Sequence, residues 1–253
     1  MLTLQRPWTL CVQPNLERAA WWIFVLSNRE RARRSLGVVE RHSRLDQVAA
    51  SHNADMAQRG YFDHLDPDGN GPQDRMQRLC PELVGGAGEN LALMTAEHEE
   101  SLARAVVDGW MNSPGHRANL LTSTHTHMGI ELLQIDRKVY ATQLFAGLLA
   151  ELLEPVLPLQ LRVAEMAILR FRYYDSPRSD LMLMVEVPNR DAWLPAGNGM
   201  LIKGAAVMKP QWDSTTDFHV NFNAQYGNGL YRICIGKTSA SAYCRQGIEL
   251  NVL

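Results

Sequence analysis

The stretch Trp110-Met-Asn-Ser-Pro-Gly-His-Arg-Ala-Asn-Leu-Leu121 decides the fold. A helix predicted from about Glu97 to Asn112 is broken there by Ser113-Pro114-Gly115, after which His116 to Leu121 can add one or two turns. Upstream, LDQVAASHNADMAQRG places Leu45, Val48, Ala49, His52 and Met56 three and four apart before Gly60, the pattern of an amphipathic core helix. Before it, Pro14-Asn15 opens a helix through LERAAWWIFVLSNRERARRSLG. From Tyr61 to Leu91 the chain is expected to be mostly loop, with turn signals at 67–71 and 85–88. Downstream, THMGIELLQI and VYATQLFAG, joined by Asp136-Arg137-Lys138, have the form of an antiparallel hairpin. The following LLAELLEPVLPLQL breaks at Pro155 and Pro158. Beyond it come short runs, AILRFRYY, LMLMVEV, GMLIKGAAV, DFHVNFNA, LYRICIG and IELNVL, at the spacing of a small β-sandwich.

At 253 residues, 46% hydrophobic and 21% charged, the chain has a globular composition with room for two domains. A net charge of −2 gives no basic field for nucleic acid or anionic membrane. The longest apolar run, Ala19 to Leu26, is too short to cross a bilayer, and residues 1–14 contain no signal-peptide pattern. Four cysteines lack the CxxC pairs of a zinc site and are expected to make two staples. A bridge between Cys234 and Cys244 is favoured, which leaves Cys11 with Cys80; if bridged, the protein lives outside the cytosol.

Four segments occur in order: Leu26-Ser-Asn-Arg-Glu-Arg31, Phe62-Asp-His64-Leu-Asp-Pro-Asp-Gly69, Gly88-Glu-Asn-Leu-Ala92 and Trp110 to Leu121. With Thr126-His-Met-Gly-Ile130 and Tyr140-Ala-Thr-Gln-Leu-Phe145 they resemble the bacterial-type CAP domain of cysteine-rich secretory, antigen 5 and pathogenesis-related 1 proteins. The resemblance implies an α-β-α sandwich for this part of the chain, and with the short β-like runs beyond it the expected fold class is α+β, the sandwich being followed by a smaller all-β, sandwich-like domain. The expected organisation is an arm over 1–14, a CAP domain over 15–150, a linker over 151–158 and a β-rich domain over 159–253. It further implies a cleft tetrad in which His64, Glu89 and His116 take three positions, while Ser113 stands where secreted relatives carry a glutamate. The four arginines at 29, 31, 33 and 34 are expected as a solvated helix end, with Arg31 buttressing the fold as the resemblance implies.

Read as chemistry, two imidazoles and a carboxylate are the inventory of a metal site or an acid/base pair. His64 and His116 are the candidate metal ligands, and zinc is the cofactor such a set would take. The plain alternative is a carboxylate accepting backbone hydrogen bonds beside satisfied histidines. Asp66, Asp68, Asn70 and Gly71 open like an EF-hand loop, but Gln77 occupies the twelfth position, so an Asp-Gly turn is expected. His125 and His127 are expected on one strand face as a solvated pair, and Trp21, Trp22 and Trp110 in the core. Ser113 near His116 lacks a GxSxG elbow, which argues against a serine nucleophile.

Three functions compete. The first is an extracytoplasmic, non-catalytic protein that binds a ligand or protein partner through the cleft, the β domain or both. The second is a metal-assisted hydrolase of peptide or wall material using His64, Glu89 and His116. The third is a structural subunit of a larger assembly whose cleft is vestigial.

Overall fold

The computed structural model describes residues 15–95, 98–197, 199–238 and 247–253. Cys11 and Cys244 lie outside them, so neither expected disulfide falls within the described residues; Cys80 and Cys234 are buried. The chain is α+β and forms two compact units.

The first unit comprises residues up to Gly69, Glu89–Ser123 and Met128–Leu144. Asn15 caps α1 (Leu16–Ala32) by accepting the Arg18 N–H, and Ala19, Ala20 and Ile23 are buried as this helix packs on α4 (Glu99–Asn112). After the two-residue strand β1 (Glu40–Arg41), α2 (Ser43–Arg59) buries the predicted stripe and ends at Gly60, whose φ of 72° suits glycine. The Ser113 break separates α4 from α5 (Pro114–Leu120). The hairpin of β3 (His127–Ile135) and β4 (Lys138–Glu154) turns at Asp136. Gly129 must be glycine, because a Cβ there would meet the Leu45 carbonyl carbon at 2.1 Å.

Arg31 is not part of the solvated arginine cluster. It is buried, with Nε donating to the Gly37 carbonyl at 2.9 Å and Nη1 to those of Leu120 and Thr122 at 2.9 and 2.8 Å. Trp110 is buried and donates Nε1–H to the Leu91 carbonyl at 2.9 Å, but Trp21 is 48% exposed and packs edge-on against Trp22.

The second unit comprises Asn70–Gly88, Thr124–His127 and Phe145–Leu253. The expected loop at 61–91 contains α3 (Pro72–Leu79) and the start of β2 (Leu83–Thr95). Of the glycines that look like a turn signal, Gly85 serves a close approach in β2: a Cβ on it would meet the Gly147 carbonyl oxygen at 2.3 Å. Residues 151–154, in the expected linker, are strand, because the alternation in LLAELLE carries β4 to Glu154.

Further on run β5 (Gln160–Leu161), β6 (Met166–Tyr173), β7 (Leu181–Glu186), β8 (Trp193–Gly197) and β9 (Met200–Lys203). They are followed by β10 (Ala205–Met208), β11 (Gln211–Trp212), β12 (Asp217–Asn223), β13 (Gly229–Lys237) and β14 (Gly247–Val252). One five-stranded sheet has the order β10-β7-β13-β14-β5, while the end of β4 pairs with β6, β6 with β12 and β12 with β11. Alternating side chains of both layers, among them Leu169, Phe171, Phe218 and Phe222 on one and Ile233 and Leu250 on the other, share one apolar core. Cys234 on β13 stands opposite Gly247, the first residue of β14. No helix among the described residues is long and apolar enough to cross a membrane.

Candidate functional site

The site lies within the first unit. Glu89 sits on β2, His64 in the loop after α2, and His116 on α5 just past the proline-glycine break. His64 Nδ1 donates to Glu89 Oε1 at 2.9 Å, and the His64 and His116 ring centres are 6.5 Å apart. The His64 side chain is 47% exposed whereas the Glu89 side chain is 1% exposed. The carboxylate therefore lies behind the imidazole and, by accepting from Nδ1, fixes the ring's tautomer and orientation. Burial, and secondarily the charge of nearby His64, hold the His116 imidazole below its usual range.

Glu89 has a second imidazole beside it that the sequence pattern concealed. His52, fully buried on α2, places Nε2 3.7 Å from Glu89 Oε1 and donates from it to the Asp63 carbonyl at 3.1 Å. Its Nδ1 lies 3.4 Å from the Tyr61 hydroxyl, which donates to Asp55 at 2.5 Å. A histidine in an otherwise apolar stripe was the available signal for this contact.

Neighbouring Asn90 ties the loops together. Its Nδ2 donates to the His116 carbonyl at 3.2 Å and to Gln143 Oε1 at 3.1 Å, and its Oδ1 accepts from Asn119 at 3.0 Å. Gln143 in turn donates to Ser27 at 2.8 Å. Such a satisfied buried network fixes loop positions that apolar packing alone would leave slack.

Ser113 is the joint between α4 and α5. Its N–H donates to the Gly109 carbonyl at 3.2 Å and its carbonyl accepts from Arg117 at 2.9 Å, and its side chain makes no capping hydrogen bond. Asp66 to Gly71 form a turn into α3: Asp66 Oδ1 accepts the Asp68 N–H at 2.9 Å, and Asp66 O accepts that of Gly69 at 2.8 Å. His125 and His127 do not pair on a strand face. The strand starts at His127, which is buried, has Nδ1 2.8 Å from Thr126 Oγ1 and meets Tyr174 edge-on, whereas His125 stacks on Phe145.

Among the described residues no three His, Cys, Asp or Glu side chains cluster as a metal-binding group. Zinc sites take at least three protein ligands. Here the carboxylate faces His64 Nδ1, which leaves two imidazoles as the donor set, so these residues do not fit a catalytic zinc.

The CAP family model, that of the cysteine-rich secretory protein family, matches residues 26–145. The chain is 35% identical over 118 residues to the uncharacterized membrane protein YlbC of Bacillus subtilis (strain 168), covering 47% of this chain and 32% of that protein. It is 36% identical over 105 residues to the uncharacterized protein YkwD of the same organism, covering 42% and 38%. The matched region thus spans about a third of the length of one relative and less than two fifths of the other. A solved extracellular protein containing an SCP domain, from Bacillus anthracis str. Ames, is 34% identical, with 52% of this chain and 41% of that one covered at a TM-score of 0.44. Residues 26–145 of this chain form a CAP domain of the cysteine-rich secretory protein family.

Proposed function

We propose that this is an extracytoplasmic protein whose CAP cleft binds a ligand or protein partner without converting it. One observation carries the reading: the site's carboxylate is 1% exposed and bonded to His64 Nδ1, so it orients an imidazole and offers no oxygen to a substrate. Hydrolysis asks for a general base within reach of a water, or a metal with an open position, and normally for a second group to protonate the leaving atom. By the family resemblance, Ser113 stands where secreted relatives carry a glutamate that could serve as a second acid. What remains is an exposed imidazole held in one orientation beside a second imidazole kept neutral by burial, a pair suited to accepting hydrogen bonds from a bound group. The location belongs to the same reading: the Bacillus anthracis relative is an extracellular protein, and oxidised Cys234–Cys244 and Cys11–Cys80 pairs would suit such a compartment.

Metal-assisted hydrolysis competes on one ground. A histidine backed by a carboxylate is the arrangement that commonly orients metal ligands. Native mass spectrometry of the untagged protein from its source tests the first reading. A retained molecule or partner that is lost in both His64→Ala and His116→Ala supports it, and retention in both variants contradicts it.

A further inference from the structure

We propose that the second unit carries a separate peptide-binding groove at the open edge of β14, anchored by Arg78. The site is independent of the cleft. The groove, about 630 Å³, is walled by Gln77 and Arg78 of α3, by Pro81 and Leu83 and by Leu157 and Pro158. Its remaining side is β14, through Gly247, Glu249 and Asn251.

Two features identify the occupant as an extended peptide with an acidic side chain. The first is the backbone. β14 pairs with β13 from Gly247 to Val252, but β5 accompanies it only at Asn251 and Val252. On the β5 side the Leu253 N–H donates to the Leu161 carbonyl at 2.8 Å, and the Leu253 carbonyl accepts from Val163 at 3.3 Å. Peptide groups two apart in a strand point the same way. Those of Asn251, Glu249 and Gly247 therefore face this edge, and at Glu249 and Gly247 no strand covers them among the described residues. An edge of that kind accepts a further strand through main-chain hydrogen bonds, with adjoining pockets selecting side chains.

The second feature is charge. Arg232 pairs with Glu249 at 2.7 Å and with Glu186 at 3.5 Å, and Asp74 accepts the Gly71 N–H at 2.8 Å. Arg78 is exposed, and its side chain makes neither an ion pair nor a hydrogen bond among the described residues. It is the groove's uncompensated cation, placed to meet a carboxylate on an incoming strand, while the four apolar wall residues suit valine-sized neighbours.

The test uses the full chain and a capped hexapeptide of alternating valine and threonine carrying one glutamate, compared with its glutamine and lysine forms. Amide NMR should show the Gly247 and Glu249 signals shifting on titration with the glutamate peptide. Arg78→Ala, or glutamine in the peptide, should weaken binding about fivefold, ~1 kcal/mol, and the two changes together should cost no more than either alone. Glu249→Pro removes an N–H that β13 does not use, so it should abolish binding while Glu249→Ala retains it. No shift at these two amides at millimolar peptide overturns the proposal. So does undiminished affinity in Arg78→Ala or Glu249→Pro, or a lysine peptide that binds as well as the glutamate one.

Discussion

The two units bury different things. The first encloses Ser27, Arg31, His52, Asn53, Glu89, Asn90, Thr142 and Gln143, nearly all joined in hydrogen bonds across elements. The second is centred on a cluster of leucines, valines, isoleucines and phenylalanines from two sheet layers, with its ion pairs on the outside. Apolar packing tolerates rearrangement, whereas a buried polar network tolerates only the geometry that satisfies it. The polar interior is where the loops carrying His64, Glu89 and His116 must be held. The apolar interior supports the sheets that carry the proposed groove.

Mutations should break this contrast in a graded order. Arg31→Ala should be the most damaging, about 4 kcal/mol by denaturant unfolding, because it strands three carbonyls and opens a cavity. In the second unit the comparable change is Phe171→Ala, which removes a fully buried ring stacked 5.2 Å from Phe218 and should cost about 3 kcal/mol. Arg172→Ala, which breaks the surface pair with Asp217 at 3.0 Å, should stay within about 0.5 kcal/mol. A surface arginine that mattered as much as Arg31 would erase the distinction.

The pH dependence sharpens it further. Because burial, then the charge of His64, lower the His116 pKa from 6.5, the unfolded chain takes up that proton at a higher pH than the folded one. Stability should therefore decline as pH falls through about 6.5 toward the lower folded value. His116→Gln should flatten that part of the profile, as read by thermal unfolding across pH 5 to 8 (roughly the range in which imidazoles titrate).

Much of this was legible in the sequence, for identifiable reasons. The helices α1, α2 and α4 announce themselves by apolar spacing and by stops at Gly60 and Ser113-Pro114, and the β-rich tail by runs that alternate along β6, β12 and β14. Gly85 misled, since glycine serves both a turn and a close strand approach, and only the position of Gly147 decides between them. Pro155 marks the end of β4 as expected, and the alternation in LLAELLE holds the strand up to Glu154, inside the stretch expected as a linker. In the site, His64 and His116 could be named from their motifs. The inner contacts, His52 beside Glu89 and Asn90 beneath His116, depend on distances that no spacing encodes.

The central claim is that the cleft's carboxylate orients His64 and does not act on a substrate, and zinc titration by calorimetry joined to a peptide-cleavage assay tests it most directly. Wild type should bind zinc with micromolar or weaker affinity, His64→Ala and His116→Ala should bind still less, and no metal-dependent cleavage should appear. Tight stoichiometric binding lost in both variants, together with zinc-dependent turnover, would contradict the account.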